Sequence, residues 1–263
     1  MLGRLLKYDL KWVYKVIVVF YILAFIFSII GRALSTIENS VVFSVVSKII
    51  IGTAIAMMIN SLVNGLMRLW ARMVKNVYKD ESYLTHTLPV EKKTIYASQV
   101  ISAVITTLTT VAVILVCLFI CYYSEANMEA LKTMLEIAAS TYNTTVVNLL
   151  VLIAGVLFCE IMFMVLIGYV GIILGHKSNE RKMLKTLVIS FGLYMAFQVL
   201  TLVMMYVLGL FNPEVMNLIN TTDAIDVETI KAIMYAAIGV YGAYSVLLFA
   251  IGKKQLEKGV NVE

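Results

Sequence analysis

The residues able to do chemistry are few and scattered. Glu160 is the one acid inside a long apolar run, between Cys159 and Ile161. A carboxylate at mid-bilayer costs roughly 3 kcal/mol, so this one is expected to face a bundle interior or a wet cavity. Two roles suit it. It could contact a cationic substrate or a moving helix, or it could be a protonated carboxyl bonded to a neighbouring Ser, Thr or Asn. Lys48 lies within the second apolar run, nearer the outer end than Glu160. Asn60 and Asn64 lie one helical turn apart with Ser61 beside them, Thr106, Thr107, Thr109 and Thr110 crowd another run, and Gln198 and Thr201 share a third. Such groups hydrogen-bond between membrane helices. Asn60, Asn64 and Gln198 could also line a substrate path with Glu160.

Covalent and metal chemistry lack their residues. The two histidines, His86 and His176, fall in different loops and form no H-E-x-x-H pair. A G-x-S-x-G nucleophile elbow is absent. Gly171-Ile172-Ile173-Leu174-Gly175-His176-Lys177-Ser178 imitates a phosphate loop, but its spacing is wrong and it follows a membrane helix rather than a strand. It reads as a helix end. The chain is therefore not expected to be an enzyme, and no cofactor is assigned to it.

The elements that must position these residues follow from composition. Of 263 residues, 61% are hydrophobic and only 14% charged, with two prolines. A soluble domain averages roughly 45–50% apolar and about 25% charged, so the bilayer is the solvent for most of this chain. Cys117, Cys121 and Cys159 all lie in apolar runs, an odd number that suggests no disulfide framework. The net charge of +5 comes with no basic patch free of the apolar runs, so nucleic acid is not an expected partner.

Six apolar runs are long enough to cross: residues 12–30, 41–67, 95–123, 146–174, 184–211 and 232–251. Seventeen of the 21 Lys and Arg fall at the N-terminus, in the second-to-third and fourth-to-fifth connections, or in the tail. That asymmetry places both termini in the cytoplasm. Arg4, Lys7, Lys11 and Lys15 recur every three or four residues, which predicts a basic helix over 1–15 lying at the inner interface rather than a secretory signal. On the other side, residues 126–139 form an amphipathic helix, and Asn212-Pro213-Glu214 is a helix start. The predicted fold is all-α: a polytopic membrane protein of six transmembrane helices, one domain over 1–263.

The connection from Arg68 to Lys93 is the most patterned. Arg68, Arg72, Lys75 and Lys79 continue the second helix as a basic stripe. Asp80-Glu81-Ser82-Tyr83-Leu84-Thr85-His86-Thr87-Leu88-Pro89-Val90 follows, and Pro89 and Glu91 suit the opening turn of the next helix. The expectation is an ordered cytoplasmic elbow with aromatic and acidic residues exposed at its tip, a shape suited to docking. Asp80 and Glu81 could instead only pair with the basic stripe, as surface ions do cheaply.

The stretch from Tyr78 to Val90 resembles the second-to-third-span connection of type-2 ABC exporter permeases, the six-span subunits of bacterial drug, bacteriocin and antimicrobial-peptide efflux systems. Glu81 and Leu88-Pro89 match that pattern; Glu91 stands where many members have Ser. The resemblance implies a cytoplasmic coupling helix seated in a separate cytosolic ATPase subunit, which would bind the ATP and Mg. It implies a second permease subunit, identical or paralogous, in a bacterial cytoplasmic membrane. Arg72, Tyr78, Asp80, Glu81, Tyr83, Leu84 and Pro89 would then carry force to the spans, and the spans would reorient around a path at the dimer interface. Two other classes compete: the substrate-binding membrane module of an importer, and a non-transporting immunity or scaffold protein.

Overall fold

The computed structural model describes residues 1–37, 41–79, 81–178, 180–211, 215 and 227–259. Those residues form eight helices and no strand: α1 (Leu2–Ser35), α2 (Val41–Val77), α3 (Ser82–Thr87), α4 (Lys92–Tyr122), α5 (Glu125–Thr141), α6 (Val146–Gly175), α7 (Lys182–Phe211) and α8 (Val227–Glu257). Six of them are long and apolar enough to cross a membrane, and they fall on the six predicted runs. Their length has a simple cause. Neither proline lies inside any of the six, so nothing interrupts the backbone ladder. At 37 residues α2 is about 55 Å long, well beyond the roughly 30 Å of a hydrocarbon core, and its surplus carries the basic stripe out of the apolar run.

Two expectations change. Residues 1–15 are not a helix of their own, because α1 runs unbroken from Leu2 to Ser35. Its basic stripe is one face of that helix; Asp9, Val13 and Ile17 form the buried opposite face. Pro89 does not open α4. Leu88 ahead of it is extended (φ −65°, ψ 139°), as a residue before proline prefers, so Pro89 separates α3 from α4 while Glu91 takes the N-cap position. The helix start expected at Asn212-Pro213-Glu214 lies outside the described residues.

The chain divides into two compact units, residues 1–129 and 130–261. In the first, α1, α2 and α4 pack against one another and α3 packs on α2. Small and sulfur-bearing side chains fill its centre: Ala24, Ala54, Met58, Cys117 and Cys121. The predicted threonine cluster does join helices here. The Tyr21 and Thr110 hydroxyls lie 2.6 Å apart, and Tyr14 bonds Thr109 in the same way.

In the second unit α6 packs against both α7 and α8. Its close crossing with α7 depends on Gly171 and Gly175, four residues apart on α6. A Cβ on Gly175 would stand 2.6 Å from the Thr186 backbone N and 2.7 Å from its Cα. The imitation phosphate loop is the end of α6, where buried His176 caps the helix and its Nδ1 meets the Ile172 carbonyl at 2.9 Å.

Candidate functional site

The elbow is built on one face of α2. Leu69, Arg72, Met73, Asn76 and Val77 recur at three- and four-residue spacing and are all buried, so the last turns of α2 press a mixed polar and apolar stripe against α1 and α4. Arg72 is the centre. Its side chain is 7% exposed and that of its partner, Asp9 of α1, 3%. Arg72 Nε donates to Asp9 Oδ1 at 2.9 Å, and Arg72 Nη1 donates to Glu81 Oε2 in the turn ahead of α3. Asp9 also accepts from α4: Ser98 Oγ donates to Oδ2 at 2.7 Å and Gln99 Nε2 to Oδ1 at 3.1 Å. One carboxylate and one guanidinium thereby link α1, α2, α4 and the elbow.

Burying two charges is expensive unless geometry and further hydrogen bonds compensate. Here Asp9 has three donors, and Arg72 spreads its fork over two carboxylates. Trp12, one turn from Asp9 on α1, covers the cations: the Arg68 guanidinium lies 3.7 Å from its ring centroid and that of Arg72 5.7 Å. Arg68 Nη2 also donates to the Trp12 carbonyl at 3.1 Å.

A second set of bonds fixes α3. The Thr85 hydroxyl lies 2.6 Å from Asn76 Oδ1 and 2.9 Å from the Glu81 carbonyl, and the hydroxyl hydrogen serves both. His86 Nε2 donates to the Val77 carbonyl at 3.0 Å. Tyr78 is buried beneath the turn, and that burial pushes its phenol up from the usual range. The outer face of the elbow is the reverse: Tyr83 is 75% exposed, Leu84 67% and Leu88 44%.

The predicted elbow residues therefore separate into two groups. Arg72 and Tyr78 are inside, Tyr83, Leu84 and Pro89 are outside, and Asp80 lies outside the described residues. Glu81 pairs with the basic stripe, the second of its two expected readings, and is not a free acid at the tip. It is half-buried, paired with Arg72 and 3.5 Å from Lys75 Nζ, because a buried arginine with a second open fork draws in the nearest carboxylate. Among the described residues, the large side chains exposed at the tip are apolar and aromatic.

The predicted path residues divide between the two units. Asn60 and Asn64 belong to the first unit and Glu160 and Gln198 to the second. The expected bonding of the two asparagines between helices is replaced by bonding within α2: Asn60 Nδ2 donates to the Ala56 carbonyl at 2.8 Å, and Asn64 Nδ2 to that of Asn60 at 2.9 Å. Each amide thus donates one hydrogen to a carbonyl one turn back on its own helix. Glu160 is exposed rather than enclosed, Gln198 is half-buried, and Lys48 is exposed.

Sequence reasoning missed Asp9, Trp12, Asn76, Ser98 and Gln99. The available signal was Asp9 itself, an acid alone among Arg4, Lys7, Lys11 and Lys15, with Trp12 three residues on along the same helical face. Compared with protein-family models, curated proteins and solved structures, the chain gives no match.

Proposed function

We propose that the chain is the membrane-spanning permease subunit of an ATP-driven exporter similar to the type-2 ABC kind, with α3 as the helix that receives force from a separate cytosolic ATPase. In this reading both termini and the elbow lie in the cytoplasm of a bacterium. ATP and Mg are bound by the ATPase, a second permease subunit completes the transporter, and a peptide, drug or lipid-like molecule is exported.

One observation carries the reading. A short helix presents an apolar tip, Tyr83 and Leu84, while a buried clamp through Arg72 fixes its base to α1, α2 and α4. A solvated loop needs neither feature. A part that passes a push from outside the bilayer to the spans needs both: a surface to be pushed, and a joint that does not yield. The residues of the clamp do no covalent chemistry. They keep the elbow and three spans at one angle, so that displacement of α3 moves helices instead of bending a turn.

Affinity purification of the chain from native membranes, with mass spectrometry of what accompanies it, tests the reading. The expected result is a stoichiometric cytosolic ATPase. Glu81→Ala should insert normally and separate ATP hydrolysis from transport. A stable protein that purifies with no ATPase, or normal transport by fully expressed Glu81→Ala, would overturn it.

A further inference from the structure

The exposed face of α1 has two halves. Arg4, Lys7, Lys11 and Lys15 recur at three- and four-residue spacing, and Val18, Ile22, Ile26 and Ile29 continue the same line at the same spacing. All of them are exposed. Because α1 is unbroken from Leu2 to Ser35, the basic half and the aliphatic half share one helix. From Val18 to Ile29 is about 16 Å along the axis, close to half of the roughly 30 Å hydrocarbon core. The aliphatic half therefore matches the depth of one leaflet's acyl chains, and the cations begin where the headgroups do. Trp12 stands between Lys11 and Lys15, at the level tryptophan favours in a bilayer, and the Arg68 guanidinium lies over its ring at 3.7 Å.

These cations have no carboxylate of their own. The one acid among residues 1–15 is Asp9, on the buried opposite face, where Arg72, Ser98 and Gln99 take it up. Among the described residues Arg4, Lys7, Lys11, Lys15 and Arg68 make no ion pair. Like charges four apart on a helix repel, so Lys7, Lys11 and Lys15 in one line favour an anion laid beside them. An acidic protein segment would answer the lysines and leave the aliphatic half of the line unmatched. A zwitterionic headgroup brings no net charge. A phospholipid with a net negative headgroup matches both halves at once.

We propose that this face of α1 binds anionic phospholipid, with the headgroup at Lys11 and Lys15 and the acyl chains along Val18, Ile22, Ile26 and Ile29. Positive charge also orients a helix during insertion, but that role ends once the helix is in place. Lipid selection by the folded protein is a separate property, and it does not rest on the exporter reading.

The test uses the purified full chain in detergent, without ATPase. It is titrated with phosphatidylglycerol or phosphatidylcholine of the same acyl chains, and bound lipid is counted by native mass spectrometry. Wild type should bind phosphatidylglycerol at least ~10-fold more tightly, and the ratio should fall as salt rises. Lys11→Gln with Lys15→Gln should cut the ratio at least ~5-fold. Lys253→Gln with Lys254→Gln, the same charge loss at the end of α8, should change it less than about 2-fold. Should the α1 double variant insert wrongly, the single Lys15→Gln, expected to cut the ratio about 3-fold, decides. A wild-type ratio near one overturns the proposal. So does equal loss from the two double variants, which would make net charge the cause. An unchanged ratio in the α1 variant, with loss of a co-purifying ATPase from native membranes, would give the face to a protein partner and overturn it as well. Because the lipid titration contains no ATPase, its failure leaves the exporter reading untouched, and a chain without an ATPase partner would keep its lipid preference.

Discussion

The two units solve the same problem with different contacts. Apolar helices in lipid gain little hydrophobic free energy by meeting one another, so close approach, packing and hydrogen bonds decide how they associate. The first unit relies on directional polar links: Tyr14 with Thr109, Tyr21 with Thr110, and the Asp9–Arg72 pair with Ser98 and Gln99. These run along α1, α2 and α4 and permit one register. The second unit relies on rings and small residues: the Phe163, Phe197, Tyr241 and Tyr244 group, the glycine crossing of α6 with α7, and a bond from the Tyr244 hydroxyl to the Leu193 carbonyl at 3.0 Å. In the first unit the central charges are buried and paired; in the second the mid-span charge is exposed. Charge inside a clamp holds geometry, whereas charge at a surface is available to something that arrives.

Arg72→Ala should break that contrast most severely. It leaves Asp9 buried without its cation and frees Glu81, so the expected loss is about 3–5 kcal/mol, read as a lowered unfolding midpoint in nanodiscs. Arg72→Lys should recover little, because one ammonium cannot offer the fork that reaches both carboxylates. In the second unit Glu160→Gln removes a charge that makes no ion pair among the described residues, and no comparable fall is expected. If the two variants lost stability equally, buried and exposed charge would not be playing different parts.

Much of this was legible in the sequence, and the part that was not has a physical cause. Helix positions follow from apolar runs and the near absence of proline, which are local properties. The Gly171–Gly175 pair was legible too, since small residues four apart make a flat helix face. The clamp was not. Arg72 read as part of a basic stripe with Arg68, Lys75 and Lys79, and nothing in its neighbours says that it turns inward while Lys75 is half-exposed. That choice depends on Asp9, 63 residues away, and on Ser98 and Gln99 on a third helix. Hydrogen bonds between helices distant in sequence leave no periodic trace. For the same reason Asn60 and Asn64 read as glue between helices, although each amide finds its acceptor one turn back.

Glycine substitutions sharpen the comparison at an intermediate scale. An alanine methyl at position 175 would press on the Thr186 backbone, which cannot rotate away as a side chain can. Gly175→Ala should therefore cost about 1–3 kcal/mol by forcing α6 and α7 apart. Gly192 on α7 and Gly239 on α8 have no neighbour within 4 Å of such a methyl. Gly192→Ala and Gly239→Ala should gain about 0.5–1 kcal/mol through helix propensity alone. Thermal midpoints of the three variants check this. Destabilisation by all three would mean that the open faces of α7 and α8 are covered by something in the membrane.

The smallest effect on stability is expected at the elbow tip, and it separates clamp from tip within the first unit. Tyr83 and Leu84 project away from the Arg72 network, and truncating them strands no buried polar group. Tyr83→Ala and Leu84→Ala should each change the unfolding midpoint by no more than the equivalent of about 0.5 kcal/mol. In the exporter reading the same substitutions remove the surface that the ATPase grips, so co-purification should fall sharply while Arg72→Lys, with its tip intact, still captures some partner. A tip variant that destabilises the fold would show that Tyr83 and Leu84 pack on their own chain, and the apolar knob would then have no need of a partner to explain it.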